Sequence, residues 1–542
     1  MAAEPANRSE AGWLRFAPLL TLFAVVIAYL PSVDYEILER DRPRVLGALE
    51  PGVAAGFDRF VTAEYDAGSL PRYRPLASAT YDLQVGLHGP SSAALRAVNV
   101  ALVAGLVAAV FSLLRWPAFG IDPLAALAGA AVVGFHPVTA SCVYDVTGRD
   151  TLLAVGCAVL GLSCFLRGGR AWRPLATLFY AAGLASNEAV LLLPAVYVAA
   201  DRLGATAAGP VPAARRLAQA APELAVAAVY LGVRGMLFEA AEFPGLALFA
   251  EPLGPLLSLL FAAQSIFLPG IAAVVEPPAE VWLSVPRLLL VAAAGSLVVL
   301  AASRCWSAIR RATALFSVWF LALWIPNANV FEQTVPFTET VLLPALIATI
   351  AGLAALLSAL AKNAAAFHVG SALSIAGVAV LGVIAMQRGP VYADDVTFTG
   401  TQALHVPHDA ELQFEFGNAL VEHGQTNAAI DVYRRASALD PEHLAALNNL
   451  AWLLATKPEA RKYELREAVR HAETLRSLTG SNDPGVLDTL AVAYAAIGRF
   501  EDAVETISVA IVLAQRVGPE ALLPDLQRRL ALYGREQAYR GD

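Results

Sequence analysis

The chain has 542 residues, 57% of them hydrophobic and only 15% charged, with a formal net charge of −8. Soluble domains average about 45–50% apolar and about 25% charged, so an ordinary soluble enzyme, a disordered chain and a fibrous repeat are all excluded. The acidic balance gives no electrostatic footprint for nucleic acid. The four cysteines lie in or beside apolar runs and show neither a disulfide framework nor zinc spacing.

The first apolar run, 13–30, lacks a small-residue cleavage site and reads as a retained first helix rather than a signal peptide. A bilayer core takes about 20 apolar residues per helix. On that ruler about eleven spans are expected, near 14–31, 94–115, 123–143, 151–167, 174–186, 188–200, 220–237, 285–303, 312–328, 339–361 and 368–387. The stretch 253–272 is broken by Pro252, Pro255 and Pro269 and reads as re-entrant or interfacial. Arginines fall on alternate loops: Arg115; Arg167, Arg170 and Arg173; Arg202, Arg215 and Arg216; Arg304, Arg310 and Arg311. The positive-inside rule makes those loops cytoplasmic. The expected topology is a multi-pass inner-membrane protein with a cytoplasmic N-terminus. An odd count puts the C-terminal domain on the outer, periplasmic side.

The loop 32–93 is far longer than the others and carries the densest ionisable cluster of this half, including Glu36, Glu39, Arg40, Asp41, Arg42 and Arg74. Loops of this size are usually functional. The expected domains are a membrane domain over 1–390, a linker over 391–406, and a soluble helical domain over 407–542. From Pro407 the sequence repeats at about 34 residues, the tetratricopeptide length. Gly417, Leu420, Gly424, Ala429, Tyr433, Ala436 and Pro441 fall at that motif's small, aromatic and proline positions. Ala491, Tyr494, Gly498, Ala503 and Ala510 repeat it, with an insertion around 457–463 between them and a capping helix near 519–535. The fold class is therefore all-α: a polytopic membrane bundle followed by a tetratricopeptide-repeat α-solenoid, which binds protein or peptide. The histidines of this half show no ligand spacing.

Carboxylates beside arginines at an outer membrane surface suit transfer from a lipid-linked donor. A sugar leaving a polyprenyl phosphate needs a base for the acceptor hydroxyl and cations for the departing phosphate. Asp41 with Arg42 and Arg74 fits by residue type. The opposing reading is a solvated loop whose ion pairs only fix its shape.

Four blocks carry a family resemblance: "RYRPLASATYDLQVGLHG" followed by "AVNVAL", "FHPVTASCVYDVTGRDTLLA", "ASNEAVLLLPAVYVAAD" and "WIPNANVFEQTVPFTETVLLP". In order and spacing they resemble the transmembrane and tetratricopeptide-repeat-containing protein O-mannosyltransferases and their bacterial relatives, within the C-type, lipid-phosphate-sugar-dependent glycosyltransferases. The resemblance covers most of the chain. It implies protein glycosylation, with mannose as the sugar of the family name, a lipid-linked sugar as donor, and an acceptor protein or peptide engaged by the repeats. It implies Asp41 in "LERDRPRVL" as the catalytic base, with Glu39 as substitute and Arg40 standing where the family has a first aspartate. It implies Arg74 and Arg149 as donor phosphate contacts, and His136, Glu188 and Glu339 as supporting polar groups. The family's lysine before Glu188 is Asn187 here, and the arginine beside Glu339 is Thr340. Arg149 has a second reading, as an ion pair with Asp150 or Asp145, and His136 a second reading as a helix cap. No cofactor and no metal is expected, because Arg40 and Arg42 interleave with Glu36, Glu39 and Asp41. Two functions stand: an integral membrane glycosyltransferase, and a degenerate relative that serves as a membrane-anchored scaffold.

Overall fold

A computed structural model of the chain describes residues 16–38, 41, 42, 45, 73–207, 209–237, 254–267, 285–327, 339–360, 364–480, 483–516 and 520–541. Among these, every regular element is helical. The chain divides into two compact units, Met1–Asp394 and Asp395–Asp542.

The first unit contains α1 (Ala17–Tyr29), α2 (Pro75–His88), α3 (Ser92–Leu114), α4 (Pro123–Phe135), α5 (Pro137–Tyr144), α6 (Arg149–Arg167), α7 (Gly169–Leu184), α8 (Leu193–Arg202), α9 (Ala213–Leu237), α10 (Gly254–Phe267), α11 (Val285–Trp324), α12 (Leu343–Leu360) and α13 (Ala364–Arg388). Local signals set several boundaries. Asp122 accepts from the Leu124 N–H at 2.8 Å with Pro123 at the first helical position of α4. Pro137 forces His136 out of the α region, ends α4 and starts α5, and the two helices meet at a bend of 45°.

Among the described residues, five helical segments are long and apolar enough to cross a membrane, or six if α4 and α5 form one bent span. The flanks of α1 and α13 leave Leu19, Phe23, Ile27, Leu373, Ile375 and Val380 exposed. Apolar faces of that size belong against lipid. Helix α7 has 16 residues and α8 has 10, both short of the bilayer ruler, as the short runs 174–186 and 188–200 lead one to expect. Elsewhere observation and expectation differ. The two spans expected at 285–303 and 312–328 are one uninterrupted helix of 40 residues, α11. Arginine is a good helix former, and no glycine or proline interrupts 296–324, so Arg304, Arg310 and Arg311 lie within a helix rather than in a loop. Helix α10, in the stretch expected to be re-entrant, has 14 residues.

The second unit contains α14 (Asp395–His405), α15 (Ala410–Glu422), α16 (Thr426–Leu439), α17 (Leu444–Thr456), α18 (Lys462–Thr479), α19 (Pro484–Ala496), α20 (Phe500–Arg516) and α21 (Leu523–Tyr533). Residues 391–406, expected as a linker, include α14, which packs on α15. The helices stack in chain order, each against the next. Gly417 permits the tight α15–α16 crossing: a Cβ there would stand 2.3 Å from the Tyr433 ring. At the expected insertion Glu464 reaches back to accept from the Arg461 N–H at 2.7 Å and starts α18.

Candidate functional site

The block Tyr73-Arg74-Pro75 opens α2, with Arg74 as its N-cap residue and Pro75 at the first helical position. The segment is pinned from two sides. The Leu76 N–H donates to the Ala185 carbonyl at 2.9 Å, and the Tyr230 hydroxyl of α9 donates to the Tyr73 carbonyl at 3.0 Å. The Arg74 guanidinium then meets two carboxylates. It donates to Glu188 through Nε to Oε2 at 3.1 Å and Nη2 to Oε1 at 2.8 Å, and through Nη1 to Asp150 Oδ2. Glu188 stands at the start of the short turn Glu188–Val190, and the preceding Asn187 side chain caps that turn by accepting from the Ala189 N–H at 2.9 Å. A fork closed on one carboxylate, with its third nitrogen on another, leaves this arginine no spare charge. The expected phosphate contact at Arg74 is thus occupied by protein.

Arg149 behaves differently. It is fully buried at the start of α6. Its Nε donates to Asn99 Oδ1 at 3.0 Å and its Nη2 to the Leu95 carbonyl at 2.8 Å. The guanidinium lies over the Tyr81 ring at 4.4 Å, and Nη1 finds no hydrogen-bond partner among the described residues. No carboxylate of the described residues forms an ion pair with it; Asp150, one place on, faces Arg74 instead, and the Asp145 carboxylate caps its own turn through Thr147 at 2.8 Å. A desolvated cation–π contact contributes about 2 kcal/mol, whereas an unpaired buried ion costs several. The two hydrogen bonds and the ring offset part of that cost, and Nη1 remains available to an acceptor.

A third arginine, Arg96, is also fully buried, one turn before Asn99 on α3. It donates through Nη1 to the Tyr144 carbonyl and through Nη2 to the Glu36 carbonyl, and sits 5.7 Å from the Tyr35 ring centroid. The charges that act on it are those of Asp145 and Asp41. Asp41 is 4% exposed and held in a turn by its own N–H, which donates to the Leu38 carbonyl at 2.8 Å. Two hydrogen-bonded groups result: Asn99 of α3 with Arg149 of α6, and Arg74 with Asp150 of α6 and Glu188 of the turn at 188–190; Arg96 lies one turn before Asn99 on α3. The sequence reading missed Arg96. Its signal was there: an arginine one turn into an apolar helix is a functional hypothesis by default.

The remaining expected residues lie elsewhere. His136 caps α5: its Nδ1 accepts from the Val138 N–H at 3.1 Å, which leaves Nε2 to carry the proton toward the Ile266 carbonyl at 3.1 Å. Helix α5, about 12 Å long, separates it from Tyr144, whose carbonyl Arg96 holds. Glu339 begins the turn Glu339–Leu342, and its side chain is outside what the structure describes; so is Glu39. Among the described residues no three His, Cys, Asp or Glu side chains converge as metal ligands do. Compared with known proteins, the sequence matches no family model and no curated protein.

Proposed function

We propose that the chain is an integral membrane glycosyltransferase that moves a sugar, mannose by the family resemblance, from a polyprenyl-phosphate donor to hydroxyls of exported protein. Asp41 takes the proton of the acceptor hydroxyl. The leaving phosphate develops charge in a water-poor site, where preorganised donors count most. Arg149 supplies them, and Arg74 anchors the carboxylates Asp150 and Glu188 rather than the donor. The second unit is a tetratricopeptide-repeat solenoid that presents the acceptor chain. The single observation that carries this reading is the fully buried Arg149, with a guanidinium N–H unspent and no paired carboxylate among the described residues. The matching experiment is donor capture: purified chain in detergent, crosslinked to a photoreactive polyprenyl-phosphate sugar. Arg149→Met is expected to lose labelling at least tenfold while the melting temperature stays within a few degrees. Equal labelling of both forms would remove Arg149 from donor binding.

A second reading, a catalytically silent membrane-anchored scaffold, is favoured by Arg74, whose charge is already consumed by two carboxylates. It expects the photoreactive donor to label neither form.

A further inference from the structure

We infer that Arg96 is the residue that positions Asp41, by locking the segment that carries it and by setting a cation beside it. The inference rests on the transferase reading above. Three contacts fix the start of this segment. The Glu36 N–H donates to the Ala393 carbonyl at 2.9 Å. The Ser92 hydroxyl donates to the Tyr35 carbonyl, and Arg96 donates to the Glu36 carbonyl. Two of the three come from the first turn and a half of α3, and Ser92 also accepts from Arg96 Nε at 3.4 Å. The other arm of the Arg96 fork holds the Tyr144 carbonyl at the end of α5. Arg96 thus ties the segment before Asp41 to the C-terminal end of α5.

The geometry needs no carboxylate contact to hold a backbone in place; two carbonyls accept from the fork. A neutral amide could serve that purpose alone. A full charge, buried at 0% exposure, is costly unless it acts on something. The charges that act on it are those of Asp145 first and Asp41 second, with the Tyr35 hydroxyl after them. Asp145 already spends an oxygen on Thr147, through its N–H at 2.8 Å and its hydroxyl at 2.6 Å. Asp41 is the carboxylate with chemistry to perform. A cation near a general base helps to orient it, so Arg96 acts through Asp41 and touches no substrate.

Charge and clamp separate by substitution. Arg96→Lys keeps the charge and loses the fork, while Arg96→Gln keeps donors for a carbonyl and loses the charge. Initial rates of transfer from a labelled polyprenyl-phosphate sugar to an acceptor peptide would be measured on purified full-length chain, with melting temperature as the control. Arg96→Gln is expected to lower kcat about tenfold to a hundredfold, the scale of a misoriented catalytic group, with the donor KM within about twofold. Arg96→Lys is expected to recover most of that loss. Ser92→Ala, a milder cut into the same clamp, is expected to lower kcat in the same direction and guards against a misfolded Arg96→Gln. Equal kcat in the Lys and Gln variants, a change in KM alone, or an unaffected Ser92→Ala would overturn the assignment. A wild-type chain that transfers nothing overturns the transferase reading and this inference with it. An active wild type with an unchanged Arg96→Gln overturns this inference alone.

Discussion

Gly148 precedes Arg149 in a turn with no room for a side chain. A Cβ at that position would stand 2.4 Å from the Cys142 carbonyl oxygen and 2.7 Å from its Cα, both backbone atoms that cannot swing aside. Gly148→Ala is therefore expected to cost about 1–3 kcal/mol of stability, as overpacking does, and to shift Arg149 off Asn99. Differential scanning fluorimetry of the two proteins reads the first effect; an unchanged melting temperature would mean that the turn relaxes freely. The glycine was visible in "VTGRD", but its reason was not, because Cys142 closes on it through a bend that only the fold sets. The same limit applies to Arg149. Its two readings were a donor phosphate and an ion pair with its sequence neighbours Asp145 or Asp150; the protein groups around it are Asn99, Leu95 and Tyr81, 50 or more residues away along the chain.

At the level of elements, the second unit is held by side-chain pairs between helices that are not chain neighbours. Arg529 of α21 closes both nitrogens on Asp488 of α19, at 2.9 and 2.7 Å, with both side chains buried. Removing one partner strands a buried charge, so Arg529→Met is expected to destabilise the unit by about 3–5 kcal/mol, and the pair Asp488→Leu with Arg529→Met to recover most of it. Chemical denaturation of the single and double variants decides this; a double variant as weak as the single one would refute it. Between α16 and α18, Arg434 holds Glu467 with Nε to Oε1 at 2.9 Å and Nη2 to Oε2 at 2.8 Å. Those hydrogen bonds keep the Glu467 carboxyl below its ordinary range. A depressed carboxylate stabilises the fold above its unfolded value of about 4.3 and loses that contribution as the pH falls through the folded value. The deficit of Glu467→Gln against wild type, small as for most partly exposed pairs, should be present at pH 7, begin to shrink below the unfolded value and vanish only below the folded one. A deficit that persists in acid would contradict this. Asp122-Pro123 and Asp483-Pro484 each open a helix with the aspartate side chain as cap. Helix α11 was misread because charge was taken as loop. Spin labels at Leu297 and Val318 should lie about 31 Å apart along one helix at 1.5 Å per residue. A separation near 10 Å would restore two antiparallel spans.

Over the whole molecule, composition separates an apolar first part from a more polar second one, and the division between two compact units at 394 and 395 falls close to where the apolar runs stop. The apolar ruler counts residues, not continuity: it already gave 174–186 and 188–200 as short, but it could not see that α11 is single. The candidate site was legible as a set of residue types, through Asp41, Arg74, Arg149 and Glu188. Its wiring was not, because each pairing spans helices far apart in sequence, and Arg96 entered only with the fold. The transferase reading also fixes a topology: the second unit must lie on the same side of the membrane as Asp41, hence an odd number of crossings from the N-terminus. Alkaline phosphatase fused after residue 542 should be active in that arrangement and silent in the opposite one.

All of this converges on the carboxylate of Asp41. Membranes containing the wild-type chain or Asp41→Asn, at matched amounts of folded protein, would be given a radiolabelled polyprenyl-phosphate sugar and an exported acceptor protein. Label is expected on the acceptor with the wild type and to fall at least a hundredfold with Asp41→Asn, the scale of a lost general base. Undiminished transfer by Asp41→Asn would contradict the account.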